Sequence, residues 1–176
     1  YHSDILPNWE QFADDLSKVV LRIENFSIRN VMLPTSPFFS TKIMPVLRSN
    51  ETTITDLVLE NCNLQSSDID PLSKFIKKNH LLTILNLSQN DSLFGSDTDG
   101  SNAAAKQLAK AIKKHSLSYV NLSKTGLGDN NEALKIVLEG SRELKTLIID
   151  DNAPDREGAT IIKSFLIFTH KKITLR

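Results

Sequence analysis

The chain has 176 residues, 40% hydrophobic and 24% charged, which suits one domain with a real core and excludes a disordered segment. Lys+Arg and Asp+Glu each number 21, so no global field draws nucleic acid or an anionic membrane, and only local patches remain. The single cysteine, Cys62, excludes an internal disulfide and points to a reducing, cytoplasmic compartment, while no apolar run reaches the ~18 residues of a membrane span and no signal peptide opens the sequence.

Trp9, Phe12, Leu16 and Val19 recur at near-helical spacing behind Pro7, with Glu10, Asp14 and Asp15 in the early turns; they predict a helix over about 8–18, a cap within residues 1–20. Leu21, Ile23, Phe26 and Ile28 then follow a spacing that is written most cleanly further on, at Ile54, Leu57, Leu59, Cys62 and Leu64. The first copy starts near residue 18 and is degenerate, with Lys18 at the leading apolar position and Phe26 where a small hydrogen-bonding residue belongs. Pro34, Pro37 and Phe38-Phe39 interrupt the chain before Ile43–Leu47, whose Pro45 permits at most a short or kinked helix.

The copy that starts at residue 54 is followed by a helix from Ser66 to Asn79, capped by Ser67 or Asp68, with Leu72, Phe75 and Ile76 inward. A copy near 82 runs Leu82, Leu85, Leu87, Asn90, with Ser92 at its last apolar position. A polar stretch from Asp91 to Asn102 reads as an inserted surface loop, and Ala103–His115 as a strong helix. A copy near 117 carries Leu117, Val120, Leu122, Thr125 and Leu127, then a helix from about Asn130 to Glu139. A copy near 144 carries Leu144, Leu147, Ile149 and Asn152, with Pro154 at its last apolar position, then a helix from Glu157 to Phe168; a partial strand closes at 173–175. On this register the first core residues lie 36, 28, 35, 27 and 26 apart.

The residues LVLENCNL at 57–64, LNLSQN at 85–90 and VNLSKTGLGD at 120–129 resemble the ribonuclease-inhibitor-like leucine-rich repeat family, over roughly residues 20–175. The resemblance implies an α/β fold, a right-handed β/α solenoid or horseshoe arc in one domain over 1–176, with a parallel sheet on the concave face and helices on the convex face. It also implies protein binding.

Alternation along the strands separates fold from function. Leu57, Leu59, Cys62 and Leu64 point to the core, and the residues between core positions face the concave side. The candidate partner-binding set is Asp56, Val58, Glu60, Ile84, Asn86, Tyr119, Asn121, Thr146, Ile148 and Asp150, with Arg22, Glu24, Ser88, Ser123 and Thr174 on the same face. Val58, Ile84, Tyr119 and Ile148 read as an apolar stripe rimmed by acids, the anchor-and-rim pattern of a protein interface; scattered surface residues are the bland alternative.

Other features point away from catalysis. Cys62 stands in the Asn/Cys slot of the spacing without a second cysteine or a histidine at ligand distance, which favours a structural role over a nucleophile or metal ligand. Asp97–Ser101 lacks the glycine and glutamate placement of an EF-hand. The Asn-x-Ser/Thr sites at Asn25, Asn50, Asn86, Asn90 and Asn121 include two that arise from the repeated Asn-Leu-Ser. No phosphate-binding glycine loop, nucleophile elbow or His-Glu-x-x-His occurs, so no catalytic residue, metal or cofactor is expected. Lys77-Lys78 with His80, Lys113-Lys114 with His115, and Arg142 recur in phase, either as a basic ridge or as cations favoured at helix C-termini.

The expected function is a non-catalytic protein-interaction module or scaffold, intracellular, with a protein partner and neither nucleic acid nor a membrane span. The alternative is a structural subunit or fragment of a larger regulator of the cytoskeletal, GTPase or immune kind, its C-terminal strand packed on another segment.

Overall fold

A computed structural model describes residues 8–18, 22–34, 37–50, 52–95, 99–113, 116–169 and 173–174. Helices and parallel strands alternate along the chain: α1 (Trp9–Lys18), β1 (Asn25–Arg29), a π-helical turn (Phe39–Ile43) leading into α2 (Met44–Ser49), and β2 (Asp56–Glu60). A 3₁₀ turn (Ser66–Asp68) leads into α3 (Ile69–Lys78), followed by β3 (Ile84–Asn86), α4 (Asp99–Lys113) and β4 (Tyr119–Asn121). A second 3₁₀ turn (Leu127–Asp129), α5 (Asn131–Gly140), β5 (Thr146–Ile148), α6 (Arg156–Thr169) and β6 (Ile173–Thr174) complete it.

The six strands form one parallel sheet in chain order, β1-β2-β3-β4-β5-β6. In register, Leu57 pairs with Leu85, Leu85 with Val120, Val120 with Leu147 and Leu147 with Ile173. Parallel strands need a crossover between them, and each helix supplies one. α2, α3, α4, α5 and α6 pack neighbour to neighbour, and their apolar sides join the inward strand residues in one core. Leu57, Leu59, Leu85, Leu87, Val120 and Leu122 are fully buried there, against Leu72, Phe75, Leu108, Leu134 and Val137. One face of the sheet is therefore dry, and the other stays open.

Each turn off a strand uses the same backbone device. Asn30, Asn61, Gln89, Lys124 and Asp151 all hold φ between 52° and 61°, in the left-handed region. The twisted backbone points each N–H along the sheet. Asn30 N–H donates to Glu60 O, Asn61 to Ser88 O, Gln89 to Ser123 O and Lys124 to Asp150 O, at 2.8–3.0 Å. A buried asparagine then locks two turns at once. Asn90 Oδ1 accepts from Cys62 N and Leu64 N, both at 3.0 Å, and its amide donates to Leu59 O, Leu87 O and Ser88 O. Asn152 repeats this, accepting from Thr125 N and Leu127 N and donating to Leu122 O, Ile149 O and Asp150 O. Unpaired, these backbone groups would be left buried without water.

Several expectations shift. The first copy is displaced by five residues: Phe26 pairs with Leu57 and Ile28 with Leu59. The apolar series is thus Ile23, Phe26, Ile28, Val31 and Leu33, and Phe26 is a core residue in its own right. Arg22 and Glu24 precede the strand, and Asn25, Ser27 and Arg29 take the outward positions. The first interval becomes 31. Leu21, which carried the earlier register, lies outside the described residues.

α2 is short, as Pro45 leads one to expect: it spans six residues with the proline in its first turn, and in the wide turn before it Met44 N–H reaches Phe39 O. Ser92 is exposed, and the two residues after it, Leu93 and Phe94, are fully buried in its place. The polar stretch is also shorter than expected, because α4 already begins at Asp99. Phe12 on α1 is 47% exposed and does not join the core. Trp9 and Leu16 side chains, Val19, Asp97, Thr98, Lys114, His115 and Leu175 fall outside the described residues.

Candidate functional site

The sequence places alternate strand residues on the open face, and their exposure alternates accordingly: in β2, Leu57 and Leu59 are buried while Asp56, Val58 and Glu60 are half-buried. β3, β4 and β5 follow suit, with Ile84 and Asn86, Tyr119 and Asn121, and Thr146 and Ile148 half-buried about a buried centre. Asp150, just past β5, is half-buried as well.

Register sorts these residues into rows across the sheet. One row runs Asn25, Asp56, Ile84, Tyr119, Thr146. The next runs Ser27, Val58, Asn86, Asn121, Ile148. The apolar stripe is therefore not continuous. Ile84 and Tyr119 are direct neighbours, but Val58 and Ile148 lie in the other row, separated by two asparagines. The reason is an offset of two residues along the strand: Val58 and Ile148 are second outward residues of their strands, Ile84 and Tyr119 first ones.

Beyond the asparagines the surface opens into a polar hollow of about 620 Å³, lined by Arg29, Glu60, Asn86, Gln89, Tyr119, Asn121, Lys124 and Asp151 among others. Its groups are partly pre-ordered. Glu60 pairs with Arg29 and accepts from Asn86 Nδ2 at 3.3 Å and Gln89 Nε2 at 3.1 Å. Asn121 Oδ1 accepts from the Ser123 N–H at 2.9 Å and the Ser123 hydroxyl at 2.7 Å. Asn121 lines the hollow, and no bond from its Nδ2 to another described residue accompanies them. Arg29, Gln89 and Lys124 belong to this site and were not in the predicted set. The displaced first strand hid Arg29, and the left-handed turns carry Gln89 and Lys124 back over the sheet edge.

Cys62 is not part of this surface. It is buried, and its thiol donates to Ile28 O at 3.4 Å and Glu60 O at 3.3 Å. Burial pushes the thiol up to about 12, the Val31 N–H partly opposing and the Glu60 charge adding to the rise. A thiol so held stays protonated and is no nucleophile at neutral pH.

Two carboxylates at helix starts titrate in opposite senses. Burial raises Asp68, which accepts from the Gln65 N–H at 2.9 Å, against the pull of that bond. Asp155 is lowered by the Gly158 N–H at 2.8 Å, with the Asn131 amide and the Glu157 N–H adding to it. Among the described residues no three His, Cys, Asp or Glu side chains converge on one point, and no helix is long and apolar enough to cross a membrane. No protein-family model and no curated protein matches the chain.

Proposed function

We propose that this chain is a leucine-rich-repeat arc of the ribonuclease-inhibitor-like kind, a non-catalytic module that holds a protein partner on the open face of its sheet. The column of left-handed residues and the two asparagine locks support the repeat reading, because each recurs at the same offset from the strand. The open face carries the functional reading. Among the described residues no helix packs upon strands β2 to β5 on this side, which has an adjacent Ile84–Tyr119 pair as anchor and a polar, partly pre-ordered hollow beside it. An aromatic anchor next to satisfiable donors is how protein interfaces combine apolar burial with register. The partner lies across β3 and β4, over Tyr119 and the Asn86–Asn121 pair, in the cytoplasm.

The experiment is a photo-crosslinking amino acid placed at position 119, with position 163 on the outer side of α6 as control. A single protein crosslinked from 119 and not from 163 is the expected result. Equal labelling from both positions, or labelling from 163 alone, overturns the placement.

A further inference from the structure

The outer sides of α3 and α4 carry a concentration of charge that the zero net charge of the chain conceals. Lys77, Lys78, Lys106, Lys110 and Lys113 are all exposed, and no ion pair among the described residues engages them. Asp70 on α3 is paired to Lys74 at 2.6 Å, and Lys106, Lys110 and Lys113 line the outer groove between α4 and α5 with a single acid, Glu139. The two helices pack against each other, and the Ser116 hydroxyl, just after α4, donates to His80 O and Leu82 O after α3. Their C-terminal turns therefore stand side by side at one edge, and Leu81, flanked in sequence by the two acceptors of Ser116, is 49% exposed.

Helix electrostatics accounts for part of this pattern only. Lys77, Lys78, Lys110 and Lys113 lie in last turns, where cations meet the negative end of the dipole. Lys106 lies one turn further in, and Lys106–Lys110 and Lys110–Lys113 are like-charge neighbours that repel along α4. All five cations are lysine. Specific protein interfaces enrich arginine and deplete lysine, and single-strand recognition adds stacking aromatics, whereas the exposed large apolar side chain described at this edge is Leu81. Mobile point charges around an aliphatic side chain match a layer of anionic headgroups, where attraction is diffuse and a leucine gains burial.

We propose that the α3–α4 edge is a docking surface for an anionic membrane, peripheral and salt-dependent. It is a second surface, separate from the open sheet face. The test is co-sedimentation of the whole chain with phosphatidylcholine vesicles, with and without one-third phosphatidylserine, at low and at physiological salt. The expected result is binding to the anionic vesicles alone, weakened by salt. Lys77→Gln/Lys110→Gln/Lys113→Gln lowers it about a hundredfold, Leu81→Ser lowers it further, and Tyr119→Glu on the open face leaves it unchanged. Should the triple variant misfold, Lys106→Gln/Lys110→Gln, on the solvent side of α4, is the substitute and loses binding as well. Equal binding to neutral vesicles, no binding at low salt, or full binding by the folded lysine variants overturns the proposal. So does binding to polyglutamate without binding to vesicles, which would mark an acidic protein as the occupant.

Discussion

Two pairs of asparagines divide the molecule. Asn90 and Asn152 sit on the dry side of the sheet and Asn86 and Asn121 on the open side, only four residues apart in the case of Asn86 and Asn90. The buried pair has each polar atom engaged with backbone, across its own turn and the preceding one. The open pair accepts locally, from Ser88 N and Ser123 N, while Asn86 Nδ2 donates across the strands to Glu60 and Asn121 Nδ2 bonds no other described residue. The same side chain thus serves as a strut where water is excluded and as an available contact where it is not. What distinguishes the two is the direction of the strand residue, not its chemistry.

Breaking the strut gives the largest expected effect. Asn90→Ala or Asn152→Ala strands two buried N–H donors and up to three carbonyls, and should lower unfolding free energy by about 3–5 kcal/mol, measured by chemical denaturation. Asn121→Ala should cost under about 1 kcal/mol in the same assay. Equal losses at the two sites would dissolve the comparison.

Next comes the backbone that lets the dry side close. Gly126 has φ 77°, and a Cβ there would run into the Gly95 backbone and stand 2.6 Å from Asp91 O. Gly126→Ala should cost about 2 kcal/mol or more, from backbone conformation and overlap together. Thermal denaturation reads it, and an unchanged midpoint would show that the two turns can part without loss.

Cys62 sharpens the comparison chemically. Iodoacetamide should fail to modify the native chain at neutral pH and react fully once denaturant is added, since the buried thiol is pushed up to about 12. Rapid alkylation of the native protein would place Cys62 outside the dry side.

The smallest effect is a pair of opposite pH responses. Asp68 is raised in the folded chain, so its contribution is complete at low pH and is lost as pH rises through the folded value. Asp155 is lowered, so its contribution is present above the ordinary carboxylate range and lost as pH falls through the folded value. Asp68→Asn, which keeps the acceptor for Gln65, should gain stability at neutral pH and lose that gain toward acid; Asp155→Asn should lose stability at neutral pH, with the deficit closing toward acid. Denaturant titrations across pH for both variants show whether the signs differ.

Much of the dry side was legible in the sequence because its demands recur: Leu57, Leu85, Val120 and Leu147 announce themselves by spacing, and the asparagine slot by its position after them. The first strand misled because Leu21-Arg22-Ile23 alternates as a strand does. The better register was already present in Ile23, Phe26, Ile28, Val31 and Leu33, which fills all five apolar positions where the other left Lys18 in one. Ser92 misled for a related reason, since the turn after Asn90 carries one residue more before it re-enters the core at Leu93.

The open side was legible as a list and not as a surface. Alternation identifies Val58, Ile84, Tyr119 and Ile148 as outward, but adjacency depends on which residue opens each strand. That offset separates Val58 from Ile84. Likewise, helical spacing reveals the lysines of α3 and of α4, while only the packing of the helices and the Ser116 bonds bring the two groups to one edge.

Binding by the open face, as opposed to folding by the buried ladder, is tested most directly by the affinity of Ile84→Ser/Tyr119→Glu for the protein crosslinked at position 119, measured beside its unfolding free energy. We predict stability within about 0.5 kcal/mol of the parent chain and an affinity at least tenfold weaker. Unchanged affinity in the folded double variant would contradict the account.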